Sequence, residues 1–128
     1  MASFDAAQVE PAPRIVETAL PVGLATMEKL YEGGVSGRST TLFTSAYDAG
    51  SGVGAYVALE SFEGTLNGVS GTFNFAHAAT TSGSDRSHEY FLIVPSSGTG
   101  GLESIRGSGG LSVDGAGTHD IWFEYELD

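Results

Sequence analysis

Glu60 lies in the run Tyr56-Val57-Ala58-Leu59-Glu60-Ser61-Phe62, and alternation puts it on one face with Tyr56 and Phe62. If that face points inward, lost hydration raises the pKa of Glu60 and makes it a general acid/base or a stabiliser of developing positive charge. The plainer alternatives are a rim carboxylate paired with an arginine or a solvated outward side chain. His77 follows Phe73 and Phe75 in the same alternation. Between the two runs stands Asn67-Gly68, the pair that type I′ turns favour because both central residues need positive φ. A hairpin centred there sets Glu60 opposite Phe75 and Phe62 opposite Phe73, so Glu60 and His77 become diagonal neighbours within reach of each other. Glu60 and His77 form the expected catalytic pair. Tyr56, Phe62, Phe73 and Phe75, with Tyr90 from the following strand, form the expected ligand lining. A core histidine bonded to a carbonyl is the competing reading for His77.

Other chemistries find little support. There is no cysteine, and His88 and His119 stand in no His-x-His or His-x-x-x-His spacing, so no metal is expected. No Gly-x-Ser-x-Gly elbow is present, and the glycine runs at Gly50–Gly54 and Gly98–Gly101 lack the strand-to-helix context that cradles phosphate. No cofactor is expected. Five Lys and Arg against 16 Asp and Glu give a net charge of -11, which disfavours nucleic acid and anionic membrane as partners. No apolar stretch approaches the ~18 residues of a membrane-spanning helix. Met1 to Glu10 holds Asp5 and Glu10 but no Lys or Arg, unlike a secretory leader, so a cytoplasmic location is expected.

The elements that must position these residues read as β throughout. The chain has 128 residues, enough for one domain over 1–128 with its own core, and 19 of them are glycine, which argues against helix. Strands are expected at Ser3–Val9, Val22–Tyr31, Arg38–Tyr47, Gly54–Glu63, Gly71–Ala78, His88–Val94 and His119–Leu127, with a short helical turn within Arg14–Pro21. Thr80–Ser87 reads as a polar loop, and the six glycines of Gly98–Gly110 as bulges and a tight bend. Seven or eight strands must deal with their edges, by a closed barrel or a two-sheet sandwich; the mixed aromatic and hydrogen-bonding faces favour a small closed antiparallel barrel of about eight strands, which leaves room for one ligand. In the closing strand Trp122 shares its face with Asp120, Glu124 and Glu126. There it caps a barrel mouth or marks a subunit interface, so homodimerisation is expected.

Several segments together resemble one family. Lys29-Leu-Tyr-Glu-Gly-Gly-Val-Ser-Gly37, Tyr56-Val-Ala-Leu-Glu60 with Phe62, Gly64-Thr-Leu-Asn-Gly68 with Gly71-Thr-Phe73 and His77, and Val94-Pro-Ser-Ser-Gly-Thr-Gly100 are similar to the bacterial domain of unknown function 3224. The sequence departs from that pattern at Ser96, where glycine is usual, and at Gly101, where glutamate is usual. The resemblance implies a β-barrel like those of plant allene oxide cyclases and bacterial spirotetronate cyclases, in which an enclosed apolar cavity folds a reactive substrate. It carries over no catalytic residue. The mixed lining and the resemblance together give the expected function: a cofactor-independent isomerase or cyclase acting on a hydrophobic small molecule inside the barrel. A non-catalytic carrier barrel, or a domain whose interior is simply filled, would use the same residue types.

Overall fold

Alternation of apolar and polar residues becomes strand in nearly every segment where it occurs. The computed structural model describes residues 3–8, 16–83, 85–113 and 119–128. Nine strands follow in chain order: β1 (Ser3–Ala7), β2 (Val22–Tyr31), β3 (Val35–Asp48), β4 (Val53–Leu66), β5 (Val69–Ser82), β6 (Asp85–Ile93), β7 (Thr99–Gly100), β8 (Arg106–Val113) and β9 (His119–Glu126). All pair antiparallel in one sheet of order β1-β2-β3-β4-β5-β6-β8-β9, with the two-residue β7 on β5. No helix among the described residues is long and apolar enough to cross a membrane. Of the expected helical turn, Arg14 and Ile15 lie outside the described residues, as do the prolines at 11 and 13; Val16–Pro21 is not helical.

The Asn67-Gly68 turn has φ of +49° and +85°, the two left-handed residues a type I′ hairpin requires. It sets Glu60 against Phe75 and Phe62 against Phe73, the register the hairpin implies. The expected loop at Thr80–Ser87 is instead the far end of a second hairpin, in which Thr80 pairs with Ser87, Thr81 with Arg86 and Ser82 with Asp85. Its polar residues mark strand ends that reach past the core, and so escaped a reading based on apolar alternation.

The expected closure is not seen. β1 and β9 form the two ends of the sheet and do not pair with each other among the described residues. The sheet is nonetheless strongly rolled, because its inner faces share one core. Phe62, Leu66, Phe73, Phe75, Ile93, Leu102 and Ile105 are buried, and Tyr31 of β2 and Phe123 of β9 pack on the same cluster from opposite ends. Among the described residues β1 pairs with β2 as far as Glu28, and a cleft of about 350 Å³ lies between Leu30 and Tyr31 of β2 and Ile121, Phe123 and Tyr125 of β9. A line of glycines crosses the neighbouring strands, with Gly37 paired to Gly64, Gly64 to Gly71 and Gly71 to Gly100. A Cβ at Gly37, Gly64 or Gly71 would stand 2.1–2.2 Å from a carbonyl oxygen of the adjacent segment, so only glycine permits this approach.

Candidate active site around His77 and Glu60

β4 and β5 deliver Glu60 and His77 to the inner face, where they are 0% and 4% exposed. His77 Nε2 lies 2.6 Å from Glu60 Oε2. Lys29 Nζ donates to the same oxygen at 2.8 Å, while Tyr31 and Ser39 donate hydroxyls to Oε1 at 2.8 and 2.7 Å. Four donors thus meet the four lone-pair sites of one carboxylate. Burial is the largest single influence on Glu60 and pushes its pKa upward, but the hydrogen bond from His77, the charge and hydrogen bond of Lys29 and the Ser39 hydroxyl together hold it at about 2. This corrects the expectation of a raised pKa: Glu60 is an anion at neutral pH and is no proton donor. The interior supplies partners that the composition of its own strand does not reveal.

On the other side of the imidazole, Tyr56 Oη lies 2.9 Å from His77 Nδ1 and accepts a hydrogen bond of 2.9 Å from Arg86 Nη2. Arg86 donates to the phenol oxygen and leaves the phenol proton free to point at Nδ1, so the tautomer with its hydrogen on Nε2, facing Glu60, is the assignment that satisfies both contacts. Burial raises the Tyr56 pKa against the opposing influence of Arg86. Burial also raises that of Tyr31, reinforced by the charge of Glu60 and the hydrogen bond to it. Arg86 keeps its charge because bonds to Tyr56 and Glu89 outweigh the burial that works against it. Its guanidinium stands 5.4 Å from the Tyr56 ring centroid, and Tyr56 stacks on Phe43. The His77 ring packs near-parallel beside both Phe75 and Phe91, at 5.9 and 5.7 Å, and those two rings stack on each other at 5.1 Å.

This assembly reaches the surface through a slit. β6 and β8 pair only at Leu92 and Ser108. Toward the Arg86 end of β6 the wall opens into a cleft of about 180 Å³ lined by His77, Arg86 and Phe91 from within and by Tyr90, Gly110 and Trp122 at its rim. Trp122, 48% exposed, covers Gly110 on the paired strand, where a Cβ would run into its indole. Gly109 and Gly110 thus leave room for the rings of Phe91 and Trp122.

The remaining expected site residues are distributed unevenly. Phe62, Phe73 and Phe75 are 2%, 1% and 0% exposed and pack against one another as core, and none lines either cleft. The enclosed interior at their level is filled. Tyr90 is 52% exposed and belongs to the outer face, whereas its neighbour Phe91 pairs with His77 and shares its face. Lys29, Tyr31, Ser39 and Arg86 were not anticipated as site residues. Lys29 is the chain's sole lysine, which in a chain with 16 acids was a usable signal.

A family model described as "Protein of unknown function (DUF3224)" matches residues 1–125. Among solved structures, a protein of unknown function from the DUF3224 family of Shewanella oneidensis MR-1 is 25% identical, with a TM-score of 0.81 over 98% of this chain and 91% of that one. No curated protein matches the sequence.

Proposed function

For a chain that belongs to the DUF3224 family, whose description assigns no activity, we propose a cofactor-independent proton-transfer catalyst of the isomerase or cyclase kind, acting on a small apolar carbonyl compound in the β6–β8 slit. One observation carries the reading: His77, lining the slit, holds an ionised carboxylate at Nε2 and an arginine-backed phenol at Nδ1. In the proposed cycle Nδ1 takes a proton from carbon next to the substrate carbonyl. The imidazolium formed is stabilised by Glu60, which makes Glu60 a positioning residue. The Tyr56 hydroxyl, released from Nδ1, joins Arg86 in holding the carbonyl oxygen as it gains negative charge. Return of the proton from Nδ1 to a different carbon completes an isomerisation with no net loss of atoms. The slit is smaller than drug-sized pockets, which begin at roughly 300 Å³, so it admits a small molecule or one end of a longer one.

The family resemblance, which implies a fold like that of the allene oxide cyclases, agrees with this reading, and a cytoplasmic location is proposed with it. The test is deuterium uptake from heavy water into a panel of small cyclic enones and β,γ-unsaturated ketones, followed by mass spectrometry. Wild type should accelerate uptake for at least one compound, and His77→Gln should reduce that rate by about 10²-fold or more. If His77→Gln and wild type behave alike, the catalytic reading fails. A ligand that co-purifies intact with both proteins would then favour the carrier barrel.

A further inference from the structure

The outer face of β3–β6 is an uncharged island on a strongly acidic chain. Ladder rows cross it in register: Thr40–Ser61–Asn74, Leu42–Leu59–Ala76–Leu92, Thr44–Val57–Ala78–Tyr90 and Ala46–Ala55–Thr80–Ser87. Among these, Leu42 is 58%, Val57 59% and Leu59 51% exposed. Along these strands charge returns past the last rows, as the Arg38–Glu63 pair at one end and Asp48 and Asp85 at the other; across them it returns at the flanks, with Glu28 beside Thr40 and Asp5 two strands from Leu42 on one side and Glu89 in the β6 bulge next to Tyr90 on the other. For side chains on the middle of a sheet this is an unpartnered apolar surface.

We propose that this face is the interface of a homodimer, with the twofold axis crossing the strands at the level of Phe43 and Ala58. A second copy is the occupant because the face is complementary to itself in that orientation. Turning the sheet end for end about this axis brings Leu59 over the partner's Val57, Leu92 over the partner's Tyr90, and Arg38 over the partner's Asp48. An isologous contact repeats every pairing twice, so carboxylates near its axis would oppose one another, and here there are none. At strand spacings of ~4.8 Å and ~3.4 Å per residue, four strands and four ladder rows give a footprint of about 500 Å² per copy. Two such footprints reach the ~1,000 Å² that a specific interface needs, and the convexity of the rolled sheet keeps the dimer weak, in the micromolar range. Tyr90 and Trp122 border the slit, so the second copy would lie along its mouth.

Sedimentation velocity between about 1 and 300 μM, a range centred on micromolar affinity, tests the proposal. Wild type should shift from monomer to dimer across it. Leu59→Glu and Leu59→Lys should each raise the dimer dissociation constant by at least about tenfold with unchanged circular dichroism, since Leu59 is half exposed. An equimolar mixture of the two should dimerise again, because the charges meet across the axis. A wild type that stays monomeric throughout, or a Leu59→Glu protein that dimerises as wild type does through a sheet edge, would overturn it.

Discussion

The Glu60 carboxylate makes the stability of this fold depend on pH in a way that one pair of substitutions should remove. Its pKa lies at about 2 where an ordinary glutamate is near 4.5; at about 1.4 kcal/mol per tenfold in proton affinity, the difference is about 3 kcal/mol. Because the folded value is the lower one, this stabilisation is fully present above the unfolded pKa. It fades as the pH falls from about 5 to about 2, and below both values it is gone. Glu60→Gln alone leaves two donors facing an amide and strands the Lys29 ammonium, only 17% exposed. That should cost about 3–5 kcal/mol, a large share of the ~5–15 kcal/mol available to a domain. Adding Lys29→Met removes the stranded charge, and the double variant should be more stable than Glu60→Gln. Urea unfolding followed by the single tryptophan, at pH 7, 4.5 and 3, isolates the effect, since the other carboxylates act alike in both proteins. The stability gap between wild type and double variant should narrow by about 2 kcal/mol between pH 7 and pH 3, the remainder of the ~3 kcal/mol being lost only at still lower pH. Parallel curves would refute the assignment of Glu60 as a buried anion.

Ser96 has φ of +64°, a conformation that costs an L-residue roughly 1–2 kcal/mol and that glycine adopts freely. Ser96→Gly should raise the unfolding free energy from the same urea titrations by about 0.5–1 kcal/mol after the added chain entropy of glycine. Phe75→Ala empties a site bounded by Phe73, Phe91 and Phe123 and should cost about 3–5 kcal/mol in the same assay. Nitrogen NMR of the His77 ring should find its hydrogen on Nε2; hydrogen on Nδ1 alone would reverse the direction of the Tyr56–His77 bond.

The half of the site carried by one hairpin was legible because a two-residue turn fixes register without reference to anything else. Asn67-Gly68 alone placed Glu60 beside Phe75 and within reach of His77. Lys29 and Tyr31 required two registers in succession, β2 on β3 and β3 on β4. Glu32-Gly33-Gly34 does not announce its geometry as Asn-Gly does, and both faces of β3 mix apolar and hydroxyl residues. The ionisation of Glu60 was therefore misjudged from its own strand. Arg86 was hidden by polarity: Thr80–Ser87 looks like a loop, yet the hairpin continues and turns the guanidinium inward to Tyr56. The barrel stayed a matter of expectation because edge meeting is decided by segments far apart in the chain, whereas seven of the nine strands follow from local alternation and turns; β7 and β8 do not, since the glycines that suggested bulges and a bend over Gly98–Gly110 belong in part to strands.

The glycines that pair across β3, β4 and β5 form a crease: three strands fold along one line because each lacks a side chain at the same level. Such a line has one shape that all its members share. A methyl group placed at Gly64 must push away both Gly37 and the chain at Ser36, and once the crease is flattened there, a second methyl at Gly37 meets a neighbour that has already withdrawn. Substitutions along it should therefore be strongly sub-additive, by an amount on the order of 0.5–3 kcal/mol for groups in direct contact. Sequence change at this level is correspondingly constrained to move together: one strand cannot abandon its glycine without relaxing the demand on the others, so the curvature of the sheet is held as a collective property rather than residue by residue.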